Sequence, residues 1–94
     1  MPQVLSKSQI KDQLAHFPGW GHDANALNRS FEFDEYREGL EFLNKVAELA
    51  EKVNHHPDMT LGWCRVEVRI TTHSHGGVTE LDFELARGID QVAD

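Results

Sequence analysis

Four of the six histidines fall within the 21 residues from His55 to His75, the densest concentration of chemically versatile side chains in the 94-residue sequence. Imidazole titrates at about 6.5 when unperturbed, so neighbouring rings can act as acid and base on adjacent atoms near neutral pH. A turn near Gly62–Cys64 folds the following strand back and brings its expected end, His73, close to His55 and His56. Glu51 stands one helical turn before His55, and Asp82 opens the last helical segment. Either carboxylate can orient a ring or stabilise its cation. No serine elbow, phosphate-binding loop, dinucleotide fingerprint or His-Glu-x-x-His helix accompanies them, so proton transfer without a cofactor is the simplest chemistry these residues support.

Each residue also has a structural reading. His55 and His56 follow a helix C-terminus, where the dipole favours cations. Asp82 stands three residues after Thr79, the spacing of a capping box. Glu51 on a charged helix face can be simply solvated, and Trp20 and Trp63 can serve the core or an interface as readily as a pocket wall that stacks on a flat heterocycle. A zinc site competes as well: by strand parity His73 and His75 share a face, and with His55 or His56 they offer three nitrogens. Adjacent histidines rarely point at one metal, however, and no cysteine or Asp-rich motif completes the set.

The elements that must position these residues follow from periodicity. Ser6 and Gln9 have capping-box spacing, and Ile10, Leu14 and Phe17 share a face, which predicts a first helix over 6–16. Pro18 and Gly19 break it, and short strands are expected around 19–23 and 26–33. Asp34 is the expected N-cap of a long helix running to about Val53. That helix carries two apolar stripes: Tyr36, Leu40, Leu43, Ala47 and Ala50 beside Phe42, Val46, Leu49 and Val53. One stripe suits the sheet and the other a second subunit. Residues 58–73 read as a hairpin, in which Val66, Val68 and Ile70 alternate with Glu67, Arg69 and Thr71. A Gly-rich loop over 74–78 leads to a helix from Thr79 with Leu81, Leu85 and Val92 on one side. The expected fold is α+β, ordered α-β-β-α-β-β-α, with a four-stranded antiparallel sheet covered on one face by helices.

Length allows a single domain, 1–94, and the modest core of so short a chain makes self-association a natural expectation. Nine basic and 16 acidic residues give a net charge of -7, which disfavours direct binding to a nucleic-acid backbone. The lone Cys64 cannot form an internal disulfide, no apolar h-region follows the first residues, and no apolar run approaches the ~18 residues of a membrane span. A cytoplasmic location, with a small molecule or a protein as partner, is expected.

From Glu51 the sequence continues, after three residues, with His55-His56-Pro57; five more lead to Trp63, nine more to His73, and eight more to Asp82. Pro18-Gly19-Trp20, Thr72-His73 with Gly76-Gly77, Leu85-Ala86 and Ile89-Asp90 extend the pattern. The chain thereby resembles the pterin-4a-carbinolamine dehydratase family, also known as the dimerisation cofactor of a homeodomain transcription factor. The run Met59-Thr60-Leu61-Gly62-Trp63-Cys64 departs from the family's usual aromatic and Asn-Val-Tyr-Asn, keeping an aromatic at 63. The resemblance implies the same α-β-β-α-β-β-α fold, assembly as dimers or dimers of dimers, and loss of water from 4a-hydroxytetrahydrobiopterin to give the quinonoid dihydropterin, without metal or organic cofactor. It also implies proton-transfer roles for His55 and His73, pterin binding by His56, and positioning or polarising roles for Glu51 and Asp82; Trp20 and Trp63 are the aromatic candidates for contact with the substrate. The alternative is a non-enzymatic dimerisation module that stabilises a partner protein through the exposed helix stripe.

Overall fold

The computed structural model of the protein describes residues 3–94. Helix α1 (Lys7–Leu14) is followed by β1 (Gly21–Asp23), β2 (Ala26–Glu32), α2 (Tyr36–Val53), β3 (Asp58–Gly62), β4 (Arg65–Ile70), a 3₁₀ turn (His73–His75) and α3 (Glu80–Ala93). The four strands form one antiparallel sheet in the order β1-β2-β4-β3, which leaves β1 and β3 as edges. The expected order and both expected hairpins are present. Among the described residues no helix is long and apolar enough to cross a membrane.

The strict alternation of β4 decides which face is covered. Val66, Val68 and Ile70 are buried, while Arg65, Glu67 and Arg69 are exposed on the opposite face. With Leu27 and Phe31 of β2 they meet Phe42 and Val46 of α2 and Phe83, Ala86 and Ile89 of α3 in one core. Burial of each such side chain contributes about 1.5–3 kcal/mol before the entropy of ordering is subtracted. Gly39 faces the edge of the sheet from α2, where a Cβ would stand in ordinary contact with Leu61 at 3.4 Å.

Several boundaries differ from the pattern-based expectation. The N-cap of α2 is Glu35 rather than Asp34, because the carboxylate three residues on, Glu38, accepts the Glu35 N–H at 2.9 Å; from Asp34 the same spacing reaches Arg37, which has no acceptor. The stripes of α2 are also redistributed. Phe42, Val46 and Ala50 are buried, whereas Tyr36, Leu40 and Val53 remain exposed. Leu81, expected on the apolar side of α3, is exposed too.

The largest correction concerns the end of β4. The strand stops at Ile70 instead of running to His73, because the backbone of Thr72 turns to bridge Gly77 while the Thr71 hydroxyl donates to Asn25 O at 2.6 Å. His73–His75 consequently forms a 3₁₀ turn closed by Gly76 at φ 74°, a left-handed conformation that glycine adopts without strain. His73 and His75 therefore do not share a strand face, and the zinc arrangement that parity suggested is not formed. Among the described residues no group of three His, Cys, Asp or Glu is arranged to hold a metal ion.

Candidate active site

The site is built outward from a buried carboxylate. Thr79 caps α3: its hydroxyl accepts from Leu81 N–H at 3.2 Å, and its own N–H donates to Asp82 Oδ2 at 2.8 Å. This is the capping box read from the sequence, but here it does more than end a helix. Asp82 is fully buried, and its Oδ2 also accepts the Thr72 hydroxyl at 2.9 Å. With the Thr72 proton so committed, the Thr79 hydroxyl donates to Thr72 Oγ1 across 2.8 Å, completing a chain of hydrogen bonds that ends on the carboxylate. The other oxygen, Oδ1, lies 2.6 Å from His55 Nε2. A buried carboxylate is tolerable when its lone pairs are filled by donors, and among the described residues no buried side-chain polar atom lacks a partner.

That pairing fixes which nitrogen of His55 donates. Asp82 accepts from Nε2–H, so in the neutral ring Nδ1 is the nitrogen left free to take a proton. The imidazolium formed on doing so sits against a fixed negative charge. Asn54 delivers the ring to this position: it ends α2 in the left-handed conformation (φ 55°, ψ 42°), which an Asn tolerates and which turns the chain sharply into His55-His56-Pro57.

His56 faces more water. Its Nε2 contacts the Glu51 carboxylate from the last turn of α2, and both side chains are largely exposed. His73, at the head of the 3₁₀ turn, is 74% exposed and stands 3.9 Å from Asp58 Oδ2 on β3, an ion-pair rather than a hydrogen-bond distance. His55, His56 and His73 together line one open groove of about 240 Å³ at the end of the sheet, with Thr71, Thr72 and Ser74. Each of the three imidazoles thus has its own carboxylate, and the pairs run from buried to open.

The tryptophans are elsewhere. Trp20 is buried in the core, where its Nε1–H donates to the Asp90 carboxylate at 2.9 Å and its ring meets Phe31 edge-on. The same Asp90 accepts from Arg29 at 2.7 Å, so the expected pocket wall is a structural strut. Trp63 is 84% exposed in the β3–β4 turn, at the opposite end of β3 from the groove of its own chain. At roughly 3.3 Å per residue that separation is on the order of 17 Å. Sequence reasoning missed two residues: Thr72, whose signal was the hydroxyl adjacent to a candidate histidine, and Asp58, whose signal was a carboxylate directly after His-His-Pro.

Comparison with known proteins places this geometry in context. Residues 3–92 match the family model described as pterin 4 alpha carbinolamine dehydratase. A protein of Natronomonas pharaonis is 43% identical over 94 residues, covering 100% of both chains, and one of Thermomicrobium roseum is 44% identical over 89 residues, covering 95% of this chain and 96% of its own. Both are provisionally named pterin-4-alpha-carbinolamine dehydratases. The crystal structure of a transcriptional coactivator/pterin dehydratase from Brucella melitensis superposes with a TM-score of 0.92 at 35% identity, covering 98% of this chain and 100% of that one. A pterin dehydratase-like protein described as a RuBisCO assembly factor in the alpha-carboxysome shares the fold at a TM-score of 0.65 and 24% identity, over 79% of this chain and 86% of its own.

Proposed function

This chain belongs to the pterin 4 alpha carbinolamine dehydratase family, and we propose that it removes water from 4a-hydroxytetrahydrobiopterin in the cytoplasm, within the recycling of tetrahydrobiopterin. The observation that carries this reading is the groove itself, in which an Asp82-oriented His55 and a solvent-facing His73 flank the same open volume. In the reaction the C4a–O bond breaks, an acid protonates the departing hydroxyl to water, and a base takes the N5 proton. The electron pair of the N5–H bond becomes the C4a=N5 double bond of the quinonoid product. Atoms and charge balance with two proton carriers on neighbouring atoms, which is what two imidazoles supply. His55 and His73 carry the protons, His56 holds the pterin, Asp82 fixes the tautomer of His55, and Glu51 orients His56.

Stopped-flow dehydration of 4a-hydroxytetrahydropterin by chelator-treated protein tests the proposal. Wild-type protein is expected to turn over well above the uncatalysed background, and His55→Ala and His73→Ala are each expected to lose on the order of 10²-fold or more. Turnover at background, or two variants that match wild type, overturns it. One observation favours a second reading: Tyr36, Leu40 and Val53 lie exposed on α2, as a partner-binding module would present them. Under that reading a partner's affinity responds to substitution on α2 and is indifferent to His55→Ala.

A further inference from the structure

Three of the four clustered imidazoles line the groove, each with its own carboxylate, and the fourth is set against a hydroxyl instead. His75 stands outside the groove walls, with its Nδ1 2.9 Å from Ser74 Oγ. Ser74 itself lines the groove beside His55, His56 and His73. We infer that Ser74 is a further catalytic residue, which accepts a hydrogen bond from the departing 4a-hydroxyl, and that His75 is the positioning residue that holds the serine for this task. The inference rests on the proposed dehydratase reading and adds to it how the leaving group is oriented.

The turn explains how one residue faces the groove while its neighbour stands outside. A 3₁₀ turn advances about 120° per residue, so successive side chains diverge. The backbone is pinned at its base: His75 N–H and Gly76 N–H both donate to Thr72 O, at 2.9 and 3.0 Å, and Thr72 N–H donates to Gly77 O at 3.1 Å. Thr72 is buried and bonded to Asp82, so the turn that carries Ser74 is anchored on the same network as His55.

Three hydroxyls line the groove, and they are not equivalent. Thr71 gives its proton to Asn25 O and Thr72 gives its proton to Asp82, and both residues are buried. Ser74 is exposed, and its hydroxyl meets a ring nitrogen. With the His75 ring neutral and its proton on Nε2, Ser74 O–H donates to Nδ1, and the serine oxygen keeps its lone pairs for the groove. A pterin 4a-hydroxyl that donates to that oxygen has its own lone pairs free for the imidazolium that protonates it. As the C4a–O bond breaks, its electron pair goes to the oxygen, the imidazolium supplies the second proton, and water leaves. Ser74 neither gains nor loses a proton in this step, so its contribution is the orientation of the leaving group.

Stopped-flow dehydration by Ser74→Ala is expected to lose roughly tenfold in kcat/KM, the scale of one hydrogen bond in the transition state. Ser74→Thr, which keeps the hydroxyl, is expected to recover most of that loss. Tetrahydrobiopterin, which has no 4a oxygen, is expected to bind Ser74→Ala as tightly as wild type. His75→Phe keeps a ring but removes the acceptor nitrogen, and is expected to lose roughly threefold. Combined with Ser74→Ala it is expected to lose no more than Ser74→Ala alone, because the ring acts only through the hydroxyl. Whatever the turnover, Ser74→Ala is expected to move the nitrogen resonance of His75 Nδ1 and leave those of His55 in place. With wild type active, a Ser74→Ala variant that matches it, weakened binding of tetrahydrobiopterin, losses that multiply in the double variant, or an unmoved His75 resonance each overturns the role of the pair alone. Wild-type turnover at background overturns the dehydratase reading and this role together.

Discussion

The two ends of the groove hold an imidazole and a carboxylate in opposite ways. At the inner end, Asp82 is fully buried and saturated by Thr72, Thr79 and His55. At the outer end, His73 and Asp58 are mostly exposed, 3.9 Å apart, with water free to intervene. The inner pair keeps its geometry because desolvated polar groups are expensive to leave unpartnered. The outer pair gains little from its Coulomb attraction, which solvent and salt screen. One ring is therefore oriented before any substrate arrives, whereas the other is free to adjust to what binds.

Substitution at the inner end should show the largest effect. Asp82→Ala removes the cap of α3 and the partner of His55 together, and is expected to lower unfolding free energy by about 2–4 kcal/mol in urea titration. Thr72→Val takes one donor from the carboxylate while nearly conserving volume, and about 1–2 kcal/mol is expected by the same measurement. Asp58→Asn probes the outer end and is expected to change stability by less than about 1 kcal/mol, with any difference vanishing in high salt. A loss at Asp58 that equals the loss at Asp82 would erase the distinction between the two ends. A loss at Thr72 as large as at Asp82 would sharpen it, by showing that the hydroxyl chain rather than the helix cap holds the dyad.

What could be read in advance divides along the same line. Ser6 with Gln9 and Thr79 with Asp82 announce their helices by local spacing, and both capping boxes form. Period-two alternation identified β4, and the histidine cluster located the groove. The end of β4 was illegible because it is decided by Gly77 and Asn25, residues that meet Thr71 and Thr72 only after folding. The place of Trp20 depended likewise on Asp90, 70 residues away in the chain. Capping spacing identified Asp82 as a helix residue, and the candidate cluster grouped it with His55; the two readings looked like rivals, but one oxygen of the carboxylate caps the helix while the other meets His55.

That sharing joins the orientation of His55 to the fraying of a helix end. If the first turn of α3 opens, Thr79 N–H releases Asp82, and the orientation of His55 is lost in the same event. Opening of such a terminal turn requires far less free energy than global unfolding. Under the proposed dehydratase reading, amide exchange at Thr79 and Leu81 should therefore track the warming at which dehydration begins to fall, at temperatures where the sheet is still intact.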